Sequence, residues 1–467
     1  MNFPQQSRAR RCALRLAILS LVAGPAHAGK PDADPLTAAD ATGTIRTYTA
    51  SGDLDTTNPF FQVLGTNGRS CFTCHRPETA WSITPASVRA RFDSSAGTDP
   101  VFRTNDGSTS PQADVSTVEA RRRAYSMLLN KALIRVGLPI RAGFEFTLDA
   151  VDDPYGYANA GELSLFRRVL PATNLRFLTA VMWDGRETHA PFNPPMDAGA
   201  AMDDLVASFK SQATNATLGH AQAAAAPSDA QLRQIIDFEL GLSTAQASDS
   251  NAGSLSDDDA IGGPRVLASL DFHVGLNDVL GADPTLAAFS PASMRLFDGW
   301  LPARGNAGGA PRSAIARGEQ LFNSKPIAIS GVGGLNDALG LPVIAGTCTT
   351  CHDSPNVGNH SVALPINIGT ADASRRTPDM PLYTLRNIAT GALVQTTDPG
   401  RAMITGKWAD IGKFKGPVLR GLAARPPYFH NGMAASLGDA VDFYDTRFNI
   451  GFTAQEKKDL VAFLNAL

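Results

Sequence analysis

The chain has 467 residues, enough for two or three domains and a sizeable core. Its composition, 43% hydrophobic and 18% charged, is that of an ordinary globular protein, and a formal net charge of −3 excludes the basic balance of a typical nucleic-acid binder. The 42 glycines and 31 prolines forecast many turns and long connections.

In chain order, residues 1–28 read as an export signal. Arg8, Arg10 and Arg11 precede a short apolar run from Leu14 to Val22, broken by Arg15, and Ala26-His27-Ala28 fits a small-x-small cleavage site. The run is too short to span a bilayer, and no later segment approaches spanning length. Residues 29–57, polar and rich in Asp, Thr and Ala, read as a loosely ordered lead-in to a first domain, 29–246. Asn105 to Asp114 reads as an exposed loop. Ser228 to Gln231 forms a capping-box pattern ahead of Ile235, Ile236, Phe238 and Leu240 at helical spacing. The acidic, apolar-poor stretch 247–263 reads as a linker to a second domain, 264–467. In that domain an exposed loop is expected at 302–313 and an amphipathic helix at 314–322. The last helix is capped by Thr453 and Glu456, with Leu460, Val461, Phe463, Leu464 and Leu467 on its buried face. Strand signals are sparse and short, so the expected fold class is mainly α.

Of the five cysteines, Cys12 leaves with the signal. The other four fall in Cys71-Phe72-Thr73-Cys74-His75 and Cys348-Thr349-Thr350-Cys351-His352. Two thiols three positions apart can each add to one vinyl group of a haem, and the following histidine reaches the iron. Two covalently bound c-type haems are therefore expected, on Cys71, Cys74, Cys348 and Cys351, with His75 and His352 as iron ligands. A zinc site built from both Cys-x-x-Cys pairs is the main alternative, but it leaves the two identically placed histidines without a reason. A thioredoxin-like redox pair lacks its βαβ context. The opposite axial ligands are open among His189, His220, His273, His360, His430, Met127, Met182, Met196, Met202, Met294, Met380, Met403 and Met433.

Further blocks carry a resemblance. Trp183-Asp184-Gly185-Arg186 lies between the two motifs. Leu385-Arg386-Asn387, Arg425-Pro426-Pro427-Tyr428-Phe429-His430-Asn431-Gly432 and Ala440 to Tyr444 follow the second. With these, the chain from about Phe60 onward resembles the bacterial dihaem cytochrome c peroxidases and their MauG-type relatives. The resemblance implies two cytochrome c-like haem domains with long loops and few short strands, the haems facing a shared interface. It implies that Trp183 sits between the haems, that the His75 haem is the reactive one, and that the His352 haem transfers electrons. Ungapped register puts Tyr444 at the sixth-ligand position of the His352 haem; a plain core aromatic is the alternative, with Met433 and Met403 as fallback ligands.

Departures from the family pattern matter as much. Gln222 falls about where the peroxidases carry a proton-transferring glutamate, and His220 lies two residues earlier. A histidine titrates near neutral pH, so His220 is the candidate acid/base. A sixth ligand and a structural histidine are the other readings of it. Residues 82–103 contain no histidine, which favours an open first haem. Arg167-Arg168 stand near the asparagine expected at the family's calcium site, where a cation would replace the metal's charge. Arg186 reads as a propionate partner or a surface ion pair, and Trp81, Trp300 and Trp408 as packing residues.

The function expected is a periplasmic oxidoreductase that reduces hydrogen peroxide with electrons from a small redox protein, a cytochrome c or cupredoxin. Two alternatives stand beside it: a MauG-like oxidase of a protein or organic substrate, and an electron carrier with both irons closed. No nucleic acid and no membrane span are expected, and the resemblance implies a homodimer.

Overall fold

The structure, a computed structural model, describes residues 36–49, 51, 54–189, 198–301 and 309–467. The expected export signal, Met196 and most of the loop at 302–313 lie outside the described residues. The chain is helix-rich, but strands are more numerous than the sequence reading allowed. They are β1 (Leu36–Ala39), β2 (Gly43–Thr49), β3 (Leu133–Leu138), β4 (Phe146–Asp152), β5 (Leu163–Arg168), β6 (Leu242–Asp249), β7 (Gly253–Ser254), β8 (Ile327–Ser330), β9 (Val343–Gly346), β10 (Leu382–Asn387) and β11 (Leu393–Thr396). They form four small sheets, ordered β1-β2-β6-β7, β11-β10-β4, β3-β5 and β8-β9.

The lead-in expected to be loose is thus partly a hairpin, with β2 also paired to β6. In β2, Ile45, Thr47 and Thr49 are buried while Arg46 is exposed, an alternation of period two in a run too short and polar to announce itself. The Thr47 and Thr244 hydroxyls meet at 2.9 Å, so the buried polar groups are satisfied. The stretch 247–263 is also folded. It contains the end of β6 and all of β7, and its Ala252, Leu255 and Ala260 join the core around Phe297 and Trp300. β10, which includes the Leu385-Arg386-Asn387 block, pairs with β4, so one sheet unites segments on either side of 247–263. Asp106 to Ser110, expected in an exposed loop, are buried.

The helices follow their sequence signals more closely. Asp229–Leu240 is capped reciprocally by Ser228 and Gln231. In Ala454–Asn465 the Thr453 N–H donates to Glu456 Oε2 at 2.7 Å and the Glu456 N–H to Thr453 Oγ1 at 3.2 Å. This helix packs on Gly309–Ser324 so closely that a Cβ at Gly318 would lie 2.0 Å from the Asp459 carbonyl oxygen. Arg317 clamps the same crossing through two bonds to Asp459, 2.8 and 2.9 Å. Among the described residues no helix is long and apolar enough to cross a membrane.

Candidate active site: two cavities with a tryptophan between them

The two Cys-x-x-Cys-His segments fold alike. Each opens with a short 3-10 turn, Cys71–Thr73 and Cys348–Thr350, in which a threonine hydroxyl accepts the N–H of the residue before the first cysteine at 3.0 Å. The histidine N–H then bonds back to the first cysteine's carbonyl, at 3.0 Å for His75 and 3.2 Å for His352. His75 Nδ1 lies 2.9 Å from the Trp81 carbonyl, and His352 Nδ1 lies 2.6 Å from that of Gly358. A carbonyl only accepts, so each Nδ1 carries the proton and Nε2 keeps its lone pair. Burial pushes His75 down to about 4 and lowers His352 as well, so both rings are neutral near pH 7.

Each turn borders a separate open cavity, of about 1390 Å³ beside His75 and about 1630 Å³ beside His352. The four motif cysteines lie two in each cavity, so they do not come together in the tetrathiolate zinc arrangement weighed from the sequence. Burial holds the Cys71, Cys348 and Cys351 thiols up at about 12, which is unlike a redox-active pair.

In the first cavity His220 follows the helix Ala198–Gly219, and its Nδ1 contacts Asp106 Oδ2. Asp106 is fixed from behind by Arg69 Nη1 at 2.5 Å, and Arg69 itself is tied to the Pro100 and Val101 carbonyls at 2.8 and 2.7 Å. Arg69 and His220 hold the Asp106 carboxyl below its ordinary range against the opposing effect of burial. The result is an imidazole oriented by a carboxylate, with the other ring nitrogen left for chemistry. Gln222 does not line the cavity. It is exposed, and its side chain accepts from Asn67 Nδ2 at 3.2 Å. Sequence reading missed Glu239, which lines the same cavity at 7% exposure with no partner for Oε2, and which burial raises to about 8. The available signal was a glutamate on the buried face of its helix, four residues after Ile235.

Trp183 lines both cavities. Its indole N–H donates to the Arg168 carbonyl at 2.8 Å, and the Lys415 ammonium lies 5.8 Å from its ring centre. Next to it, Asp184 is buried against Arg167, whose guanidinium also makes bonds of 2.7 and 2.9 Å to Asp398. A guanidinium thus supplies positive charge where the sequence put the family's calcium in question. Arg186 also reaches Asp184, at 3.2 Å, while lining the first cavity.

Tyr444 lines the second cavity on the helix Leu437–Phe448, and burial raises its phenol. His430 lines it too, stacked on Phe414 with Nε2 unpartnered. Met433 does not, and Met403 is buried in the core around Phe146 and Tyr383. Of the other candidates, Met182 lines the first cavity, Met127, Met294 and Met380 are core residues, and His189 and Met202 are exposed. His273 faces Asp283, and His360 is buried against Asp353. Trp81 and Trp300 are packing residues as expected, but the Trp81 carbonyl also orients His75.

Arg168, Lys415 and Arg425 are buried around the second cavity, and among the described residues no Asp or Glu forms an ion pair with them. Burial lowers all three. An apolar cavity ringed by uncompensated cations, with two thiols and one imidazole lone pair on its wall, fits a haem with anionic propionates.

No family model matches the chain. It is 35% identical over 136 residues to the cytochrome-c peroxidase IdrP2 of Denitromonas iodatirespirans, covering 26% of this chain and 36% of that protein. It is 30% identical over 145 residues to the cytochrome-c peroxidase IdrP1 of Pseudomonas sp. (strain SCT), with the same coverage of 26% and 36%. To the cytochrome c551 peroxidase of Nitrosomonas europaea it is 33% identical over 121 residues, 26% of this chain and 30% of that one. The matches thus span about a third of each relative's length. A solved structure described as a MauG-like protein associated with microbial copper homeostasis aligns with 87% of this chain and 85% of its own, at 17% identity and a TM-score of 0.34, too slight a likeness to argue from. On its motifs and its curated relatives together, the chain resembles the bacterial dihaem cytochrome c peroxidase and MauG-type family.

Proposed function

We propose that the protein is an exported, periplasmic dihaem oxidoreductase that reduces hydrogen peroxide with electrons from a small redox protein. The observation that carries this reading is Trp183, which lines two cavities that each present a Cys-x-x-Cys-His turn with an oriented, neutral imidazole. Cys71 and Cys74, and Cys348 and Cys351, would hold one haem each, and His75 and His352 would bind the irons. Haem supplies an iron that binds and reduces peroxide where a coordination position is open, and passes electrons where it is closed.

The protein's own groups then divide the work. His220, steadied by Asp106 and Arg69, takes a proton from peroxide and returns it to the leaving oxygen. Glu239, kept protonated at neutral pH by burial, is a second proton store in the same cavity. Tyr444, on the wall of the same cavity as His352, would offer its phenol oxygen to the second haem. Arg168, Lys415 and Arg425 would face the anionic propionates of that haem, and Trp183, on the wall of both cavities, would shorten the electron path between them. The test adds peroxide to the pure protein with a reduced cytochrome c present. Fast, catalytic oxidation of the donor is expected; no oxidation with any small redox protein would overturn the reading.

One observation favours a second reading. Tyr444, rather than a methionine, borders the second cavity, as the resemblance implies for MauG-type oxidases. A peroxide-treated protein that holds a changed spectrum for minutes and turns over little donor would select it.

A further inference from the structure

Behind the second motif, outside both cavities, lies a polar cluster with no role so far. Asp278, Asp353 and His360 are 1%, 0% and 3% exposed. One potential ligand atom from each lies within 4.8 Å of the others. His360 Nδ1 bonds to Asp353 Oδ2 at 2.8 Å, the other Asp353 oxygen accepts the Ser361 N–H at 2.6 Å, and Asp278 Oδ2 accepts the Ala282 N–H at 2.9 Å. Two strong donor atoms are left over, His360 Nε2 and Asp278 Oδ1, both buried and without a partner. Three further buried oxygens in the 353–361 loop are also unpartnered, those of the Ser354, Asn359 and Ser361 side chains. Among the described residues no lysine or arginine forms an ion pair with Asp278 or Asp353.

We infer that Asp278 and His360, with Asp353 held behind the imidazole, bind a divalent transition-metal cation of the zinc class. Two buried carboxylates and one imidazole balance a charge of +2, whereas without a cation the acids face one another across a single histidine. The mixed nitrogen and oxygen donor set suits zinc and its neighbours, and not calcium, which takes oxygen ligands. A carboxylate on Nδ1 is the arrangement that fixes a metal-binding histidine with its Nε2 lone pair outward. The site joins two segments, 275–283 and 353–361, that hydrogen bonds also tie together. The Gly275 N–H donates to the Ser361 carbonyl at 2.8 Å, and Asn277 Nδ2 to the Asp353 carbonyl at 3.0 Å. The loop it braces also supplies the Gly358 carbonyl that orients His352. A bound cation therefore stiffens the support of His352.

The experiment uses the full mature protein, stripped with a chelator and then titrated with Zn²⁺ alone in a calorimeter. One equivalent per chain is expected to bind, with a rise in Tm. Asp278→Asn and His360→Gln are each expected to weaken binding by roughly tenfold or more. Their visible spectra show whether the variants are folded, and the stripped wild type gives the answer if they are not. Absence of Zn²⁺ uptake by the stripped wild type would overturn the proposal. So would folded variants that bind Zn²⁺ unchanged, or Ca²⁺ binding as tight as that of Zn²⁺. None of these outcomes depends on peroxide turnover.

Discussion

The two Cys-x-x-Cys-His turns share their hydrogen bonds almost atom for atom, yet the cavities above them are furnished for different work. The His75 cavity contains protons to give and take: His220 held by Asp106, and the solitary Glu239. The His352 cavity contains the Tyr444 phenol, the His430 imidazole and the Lys415 and Arg425 side chains, and no Asp or Glu is among its lining residues. Even the shared anchoring of the histidines differs in origin. The accepting carbonyl belongs to Trp81 at φ 56° in one case and to Gly358 at φ 80° in the other. The same turn thus stands in two differently furnished cavities, and it is the residues across each cavity, and not the motif, that tell them apart.

The sharpest way to break this comparison is to remove each motif histidine in turn. His75→Ala is expected to abolish peroxide turnover outright. His352→Ala should stop turnover with a protein donor while leaving the spectral response of the first site to peroxide. Equal losses of both properties in both variants, seen by stopped-flow spectroscopy, would erase the distinction. Next in size, His220→Ala should cut peroxide turnover by about 10²–10⁴-fold and leave the second site's spectrum alone. Asp106→Asn should fall in the same direction by less, since the imidazole remains.

Other changes probe the wall between the cavities and the anchors. Asp184→Ala leaves the Arg167 guanidinium buried with one carboxylate instead of two, and should cost about 3–5 kcal/mol in denaturant unfolding. Gly358→Ala forces a Cβ to 2.7 Å from Met294 Cε and 2.9 Å from Leu419 Cδ1 at a left-handed φ. A loss of about 1–3 kcal/mol is expected, with a perturbed second-site spectrum and an unperturbed first. The smallest effect is a pH slope. Glu239 is raised from 4.5 to about 8 in the folded protein, so the stability it contributes is full below about 4.5 and lost as the pH rises through 8. Wild-type Tm should therefore fall more steeply than that of Glu239→Gln between pH 5 and about 9; parallel curves would show that Glu239 is not held protonated.

How much of this was legible in the sequence divides along the same line. The attachment turns, the Trp183 block and the register that reaches Tyr444 are local strings, and all of them come to the cavities. The final helix and the helix after Ser228 declared themselves through capping boxes. What stayed hidden depends on distant partners or on backbone. Asp106 meets His220 across 114 positions, and Arg167 meets Asp398 across 231. The Trp81 and Gly358 carbonyls have no side-chain signature at all. The short polar strands β1 and β2, and the buried Leu255 within 247–263, were masked by composition that suited a loop. Gln222 was expected about where the family carries a glutamate, but the turn after His220 directs it to the surface.

The most direct measurement is the intact mass of the purified mature chain. An increment of two haem groups is expected, dropping to one when either cysteine pair is replaced by alanine. A mature chain with the bare polypeptide mass, or with a single group that survives replacement of Cys71 and Cys74 and also of Cys348 and Cys351, would contradict the assignment of one haem to each cavity.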